Sequence, residues 1–181
     1  MPADLLARYL EIYPEEQASL GLLRKQVTAG EALNDRQNFN GHITGSAIIL
    51  SPDKRQLLFI HHRLFDVWQQ PGGHWEEREA NPLEAARREA IEETGAHLET
   101  YLPIDNDYPL VPLDIDTHEV PARPNKNEPV HYHHDFRYVF VAADTRFQHQ
   151  EKEVYAAKWF DLAAPETDRI KKTVRKLKVF L

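Results

Sequence analysis

The segment GGHWEEREANPLEAARREAIEETG, residues 72–95, gathers Glu76, Glu77, Glu79, Glu84, Glu89, Glu92 and Glu93 between a glycine pair and a closing glycine. Glu89, Glu92 and Glu93 are spaced i, i+3 and i+4, so a helix brings them to one face. Like charges at that spacing cost an isolated helix about 0.2–0.5 kcal/mol. Glutamates near a helix C-terminus also oppose its dipole. A divalent cation would turn this cost into affinity. Clustered carboxylates are hard oxygen ligands, suited to Mg²⁺ or Mn²⁺ rather than to zinc. Arg88 can reach Glu84 or Glu92 one turn away and hold a carboxylate in place. Gly72 and Gly73 let the backbone come close, so the Gly73 carbonyl can join a coordination shell. The competing reading is a solvated acidic helix face.

The helix that must carry these groups is well bounded. Asn81 is a good N-cap, Pro82 suits the first helical position and Glu84 sits three residues after the cap. Gly95 is a natural residue to end it. The spacing predicts a helix over Pro82–Thr94, with Leu83, Ala86 and Ala90 facing inward.

Histidines form a second concentration, at His61 and His62 and in HYHHD, residues 131–135. On a strand, His133, Asp135 and Arg137 face one side and His134, Phe136 and Tyr138 the other. One side could line a substrate cleft, with His133 and Arg137 as substrate contacts: Arg137 could meet a phosphate and a histidine could assist proton transfer, and a histidine metal site is a further possibility. The alternative is a strand with one wet face. Arg63 and His74 flank the glycine loop as further substrate contacts. Trp68 and Trp75 bracket it, either to stack on a base or to pack in the core.

Stepping outward, Leu5, Leu6, Tyr9, Leu10 and Tyr13 make an apolar helical stripe that Pro14 stops, and a second helix is expected from about Glu15 to Val27. HITGSAIIL and RQLLFIHH read as adjacent antiparallel strands around the turn Ser51-Pro52-Asp53. DVWQQPGG is short and extended. Strands are expected at AHLETYLPI, Leu113–Val120, VHYHHDFRYVFVAA and EVYAAKWFDL. An amphipathic helix closes the chain from Thr167, with Ile170, Val174, Leu177 and Leu181 on its apolar face. The mixture lacks a regular βαβ alternation, which predicts an α+β fold or α/β/α sandwich. An N-terminal helical extension (1–40) would precede the main domain (41–181).

The chain has 181 residues, 41% of them hydrophobic, enough for a domain with a true core. A net charge of −7 argues against broad nucleic-acid or anionic-membrane binding. The absence of cysteine removes disulfides, thiolate metal sites and a cysteine nucleophile. With no long apolar run and no signal-peptide pattern, a soluble cytoplasmic protein is the expectation.

The segment from Gly73 to Ala96 resembles the signature of the Nudix hydrolase superfamily: G, five residues, E, seven residues, R-E, an aliphatic, any, E-E, any, G, an aliphatic. Gly73 and Glu79 fit its first part, and Arg88, Glu89, Ala90, Glu92, Glu93, Gly95 and Ala96 its second. Eight residues rather than seven separate Glu79 from Arg88. The insertion is placed near Ala80-Asn81, before the helix, which leaves Glu79 the less firmly carried residue. The resemblance implies a Nudix-like mixed β-sheet flanked by helices. It also implies Mg²⁺- or Mn²⁺-assisted attack of water on the diphosphate of a nucleoside diphosphate derivative or nucleoside triphosphate. Glu89 and Glu93 would be metal ligands, Glu92 a ligand or the base, Arg88 an orienting group and the Gly73 carbonyl a further ligand. Glu151 and Glu153 are the alternative general bases on a late loop. A non-catalytic nucleotide-binding module on the same fold is the main rival, and its usual sign, a lost glutamate, is missing here. Isoprenoid-diphosphate isomerisation would look for a cysteine. RNA decapping sits badly with the acidic balance, although Lys171, Lys172, Arg175, Lys176 and Lys178 make one basic helix face. Specificity would reside in residues 105–129, and the N-terminal helices could cover the domain, extend the pocket or make a homodimer contact.

Overall fold

Strand β1 (His42–Leu50) is buried along its whole length, as expected of a strand covered on both faces. In the computed structural model, which describes residues 2–63, 66–150, 154–162 and 168–181, β1 lies parallel to β7 (His131–Ala142), in register from His42↔His133 to Leu50↔Val141. The other edge of β1 is shared. Strand β4 (Gly72–His74) pairs with Thr44–Ser46, and β2 (Gln56–His62) with Ile49 and Leu50. The far edge of β7 is shared in the same way by β6 (Asp114–Val120) and β5 (Leu98–Leu102). Strands β3 (Val67–Gln69) and β8 (Val154–Asp161) flank β2, completing an eight-stranded mixed sheet.

Alternation along the strands divides the core. On one face Ile43, Ala47, Ile49, Phe136, Tyr138 and Phe140 meet Ala85, Ala86 and Ala90 of α3 (Pro82–Thr94). The same cluster takes in Leu5, Leu6 and Tyr9 of α1 (Pro2–Ile12) and Leu23 of α2 (Gly21–Ala29). On the opposite face Ile48, Leu50, Phe59, Val139 and Val141 pack against Ile170, Val174 and Leu177 of α4 (Asp168–Phe180). The sequence expectation of a mixed sheet between helices, with helices at the N-terminus, is met. Among the described residues no helix is long and apolar enough to cross a membrane.

The continuous helix expected over residues 15–27 is instead a 3₁₀ turn, Pro14–Gln17, followed by α2. Glu16 is buried, where it accepts from Tyr9 Oη at 2.6 Å and faces Lys172 and Lys176 at 2.8 and 2.6 Å. Leu20, just ahead of α2, is buried as well.

Helix α3 approaches β1 most closely at Gly45. A Cβ there would collide with the Pro82 carbonyl and stand 2.8 Å from Ala86 N. Gly45→Ala is therefore expected to destabilise the protein by about 1–3 kcal/mol through overpacking. A denaturant midpoint unchanged from wild type would contradict this seating of the helix.

Candidate active site

Helix α3 begins as its sequence dictates. The Asn81 side chain accepts the Glu84 N–H at 3.1 Å, and Pro82 takes the first helical position. Gly95 ends the helix at φ 61°, a left-handed conformation that favours glycine. The extra residue is absorbed in the turn before the cap. There the Glu76 N–H donates to Glu79 Oε2 at 2.7 Å, Trp75 Nε1–H to the Glu79 carbonyl at 3.0 Å, and the Ala80 N–H to Glu84 Oε2 at 2.8 Å. Glu79 thus keeps its place beside the helix in spite of the insertion.

Arg88 is the hub. It donates to Glu79 at 2.7 Å, to Glu89 at 2.7 Å, to Glu92 at 3.0 Å and to the His74 carbonyl at 2.9 Å. Of the two partners one turn away, the structure selects Glu92, because Glu84 is engaged by Ala80. Burial works against the Arg88 charge, but the bonds to Glu79 and Glu89 outweigh it and raise its pKa further. The remaining glutamate is tied to the glycine pair: the Gly72 N–H donates to Glu93 Oε2 at 2.9 Å, and Glu93 is buried. Gly73 lies against Glu89, and any side chain at that position would run into its carboxylate. These contacts bolt β4 to α3.

The group opens on a cleft of about 880 Å³, within the size range of small-molecule sites. Glu89, Glu92, Glu93, Arg88, His74 and Trp75 line it. Asp35 and Arg36, from the segment ahead of β1, and Gln150, ahead of β8, complete its rim. These rim residues had no sequence signal beyond their place in the Asn-rich loop NDRQNFNG; they belong to the site because loops at strand ends converge there. The donor set fits a hard divalent ion: carboxylate oxygens with a backbone carbonyl nearby, and neither sulfur nor imidazole on the acidic helix face. The three glutamates are held by Arg88 and Gly72 rather than drawn tightly together. Among the described residues the cluster whose ligand atoms lie within 4.8 Å of one another is His42, His131 and His133.

The other sequence candidates fall in different places. His74 lines the cleft. Arg63 places its guanidinium 4.6 Å from the centroid of the Tyr155 ring, away from the cleft lining. His133 stands behind the cleft wall, its ring 5.3 Å from that of His74. Glu151 and Glu153 lie outside the described residues. Trp75 takes the packing role, and Trp68 rests on Phe160 with ring centroids 5.0 Å apart.

Arg137 requires a correction. It shares a face with His133 and Asp135, as period two requires, but it is only 1% exposed. Asp114 at 2.9 Å, Asp135 at 2.9 Å, Asp116 at 3.0 Å and Thr173 Oγ1 at 2.8 Å enclose it. Helix α4 covers this part of the face, so the guanidinium fastens β6, β7 and α4 rather than meeting a phosphate.

Comparison with known proteins agrees with this architecture. The NUDIX domain model matches residues 41–179. A probable DHNTP pyrophosphohydrolase of Lactococcus lactis subsp. cremoris (strain MG1363) is 28% identical over 168 residues, covering 92% of each chain. Among solved structures, a NUDIX family hydrolase from Clostridium perfringens superposes with a TM-score of 0.59 at 24% identity, over 77% of this chain and 98% of the other. The E. coli dihydroneopterin triphosphate pyrophosphohydrolase gives 0.54 at 19%, over 77% and 96%. These two structures support the fold alone. With the signature helix, its arginine and its three glutamates in place along one cleft, and a family match over most of its length, the chain belongs to the Nudix hydrolases, which act on phosphoric anhydrides.

Proposed function

We propose that this protein is a divalent-metal-dependent pyrophosphohydrolase that cleaves a nucleoside triphosphate, or a related heterocyclic triphosphate, to the monophosphate and pyrophosphate. The observation that carries the reading is the Arg88 hub, which holds Glu79, Glu89 and Glu92 together, with Glu89, Glu92 and the Gly72-bound Glu93 lining one cleft. Glu89, Glu93 and the Gly73 carbonyl would hold Mg²⁺ or Mn²⁺, with Glu92 either a further ligand or the base. When bound, the ion would neutralise phosphate charge and lower the pKa of attacking water.

The protein's own groups have separable tasks. Arg88 fixes the carboxylates. Glu92 is half exposed on the cleft and is the described candidate to take the proton of the attacking water, with Glu151 and Glu153 the alternatives. Water forms a new P–O bond, the bond to the pyrophosphate oxygen breaks, and pyrophosphate leaves. His74 and Arg36, both on the cleft wall, are the proposed phosphate contacts. The full-length similarity to a probable DHNTP pyrophosphohydrolase makes dihydroneopterin triphosphate the first substrate to try.

The test is a panel of dihydroneopterin triphosphate, ribo- and deoxyribonucleoside triphosphates, nucleotide sugars and dinucleoside polyphosphates with Mg²⁺ or Mn²⁺, with the products separated. A triphosphate is expected to give pyrophosphate and the monophosphate. Orthophosphate as the primary product would refute the assigned bond. Folded protein that binds Mg²⁺ and turns over nothing would favour the non-catalytic module.

A further inference from the structure

Behind the cleft wall five imidazoles converge from four strands. His42 opens β1 and faces His133 of β7 in register, with ring centroids 4.7 Å apart. His131 lies 5.3 Å from His42 and 5.0 Å from His133. His74 of β4 is 5.2 Å from His42, and His118 of β6 is 5.7 Å from His133. Five histidines on one patch, two of them buried and three half-buried, are hard to explain as packing, because each imidazole must place two nitrogens.

The hydrogen bonds narrow the explanation. The Nδ1 of His131 lies 2.8 Å from the Pro129 carbonyl and that of His42 3.2 Å from the Asn38 carbonyl. A carbonyl only accepts, so both Nδ1 atoms carry a proton, and in the neutral ring each Nε2 then presents a lone pair. The His42 Nε2 is buried without a hydrogen-bond partner. The His131 Nε2 points at the His133 Nε2, 3.2 Å away. An imidazole that donates Nδ1–H to a backbone carbonyl and offers a bare Nε2 has the usual outer-shell arrangement of a metal ligand. His42 and His131 have that arrangement, and with His133 they place one ligand atom each within 4.8 Å of one another, close enough to share one ion.

The geometry points to a second metal site, in which His42, His131 and His133 bind one borderline divalent cation of the zinc type, separate from the hard-ion site on the glutamates. Imidazole suits Zn²⁺ and its neighbours in the transition series, whereas Mg²⁺ prefers oxygen. Three histidines with a position left over match a common zinc arrangement. The ion would link the starts of β1 and β7. His74, which packs on both His42 and His133, carries that link to the cleft wall one residue from Gly73.

The full-length protein would be stripped with a chelator and titrated with Zn²⁺ against a chromophoric competitor, in millimolar Mg²⁺. Co²⁺ would serve as a spectroscopic probe. One equivalent of Zn²⁺ is expected to bind, with a visible Co²⁺ spectrum of low coordination number. His42→Gln, His131→Gln and His133→Gln are each expected to weaken uptake ~100-fold or more, since even outer-shell losses cost about 10–100-fold. Glu93→Gln should leave Zn²⁺ affinity unchanged. The proposal is overturned if the wild type takes up no stoichiometric Zn²⁺, if the histidine variants bind it as well as the wild type, or if Glu93→Gln abolishes binding. Melting curves establish which variants are folded. Should one fail, the other two and the wild-type Co²⁺ spectrum decide the matter.

Discussion

Glu93→Gln is expected to lower kcat by about 10³-fold, equivalent to roughly 4 kcal/mol of transition-state stabilisation, with the melting temperature nearly unchanged. Glu93 is buried at the junction of α3 and β4, where its Oε2 accepts the Gly72 N–H at 2.9 Å. Glutamine keeps the size and an amide oxygen that can accept the same bond, so the junction survives. What it removes is one negative charge at the place where the proposed divalent ion would be held. A structural glutamate would show the reverse pattern: little change in rate and a measurable loss of stability. Steady-state kinetics over a Mg²⁺ titration, beside a melting curve, separates the two. Activity within fivefold of wild type at all Mg²⁺ concentrations would remove Glu93 from the metal site.

The part of the site built by local rules was legible in the sequence. Asn81, Pro82 and Gly95 bound a helix, and helical spacing then requires Glu89, Glu92 and Glu93 to share a side. Even the added residue ahead of the cap does no harm, because the turn from Trp75 to Asn81 closes on its own hydrogen bonds. What local rules could not supply was the partnership of distant segments. Period two correctly put Arg137 and His133 on one face, but only the parallel pairing of β1 with β7 and the seating of α4 decide which end of that face is covered. The same pairing brings His42 beside His133, 91 positions later in the chain. The buried place of Glu16 in the 3₁₀ turn has a similar origin, since it answers to Lys172 and Lys176 at the far end of the chain.

Arg137→Leu should cost about 3–5 kcal/mol of stability at neutral pH, the usual penalty for stripping the partner from buried charges, and should leave KM close to wild type. Asp114 is fully buried and keeps Lys172 at 3.0 Å and Lys176 at 2.8 Å. Asp135 keeps Ser46, Thr44 and Gln70. Neither set replaces a guanidinium that faces three carboxylates at once, and a lysine in its place could not reach all three in that fork geometry. Arg137→Lys should therefore recover only part of the loss. The pH dependence gives an independent check. Burial alone would raise the Asp114 pKa, but Arg137, Lys176 and Lys172 outweigh it and hold the carboxyl below the ordinary range. That stabilisation is present above the unfolded-state pKa of about 3.9 and is lost as pH falls through the lower folded value. The wild type thus gives up in acid what the variant already lacks, and the gap between them should narrow below about pH 4. A folded variant with unaltered stability and a tenfold higher KM would return Arg137 to the substrate. Loss of stability at constant KM would establish that the arginine serves the cleft only by fastening α4 to the sheet behind it.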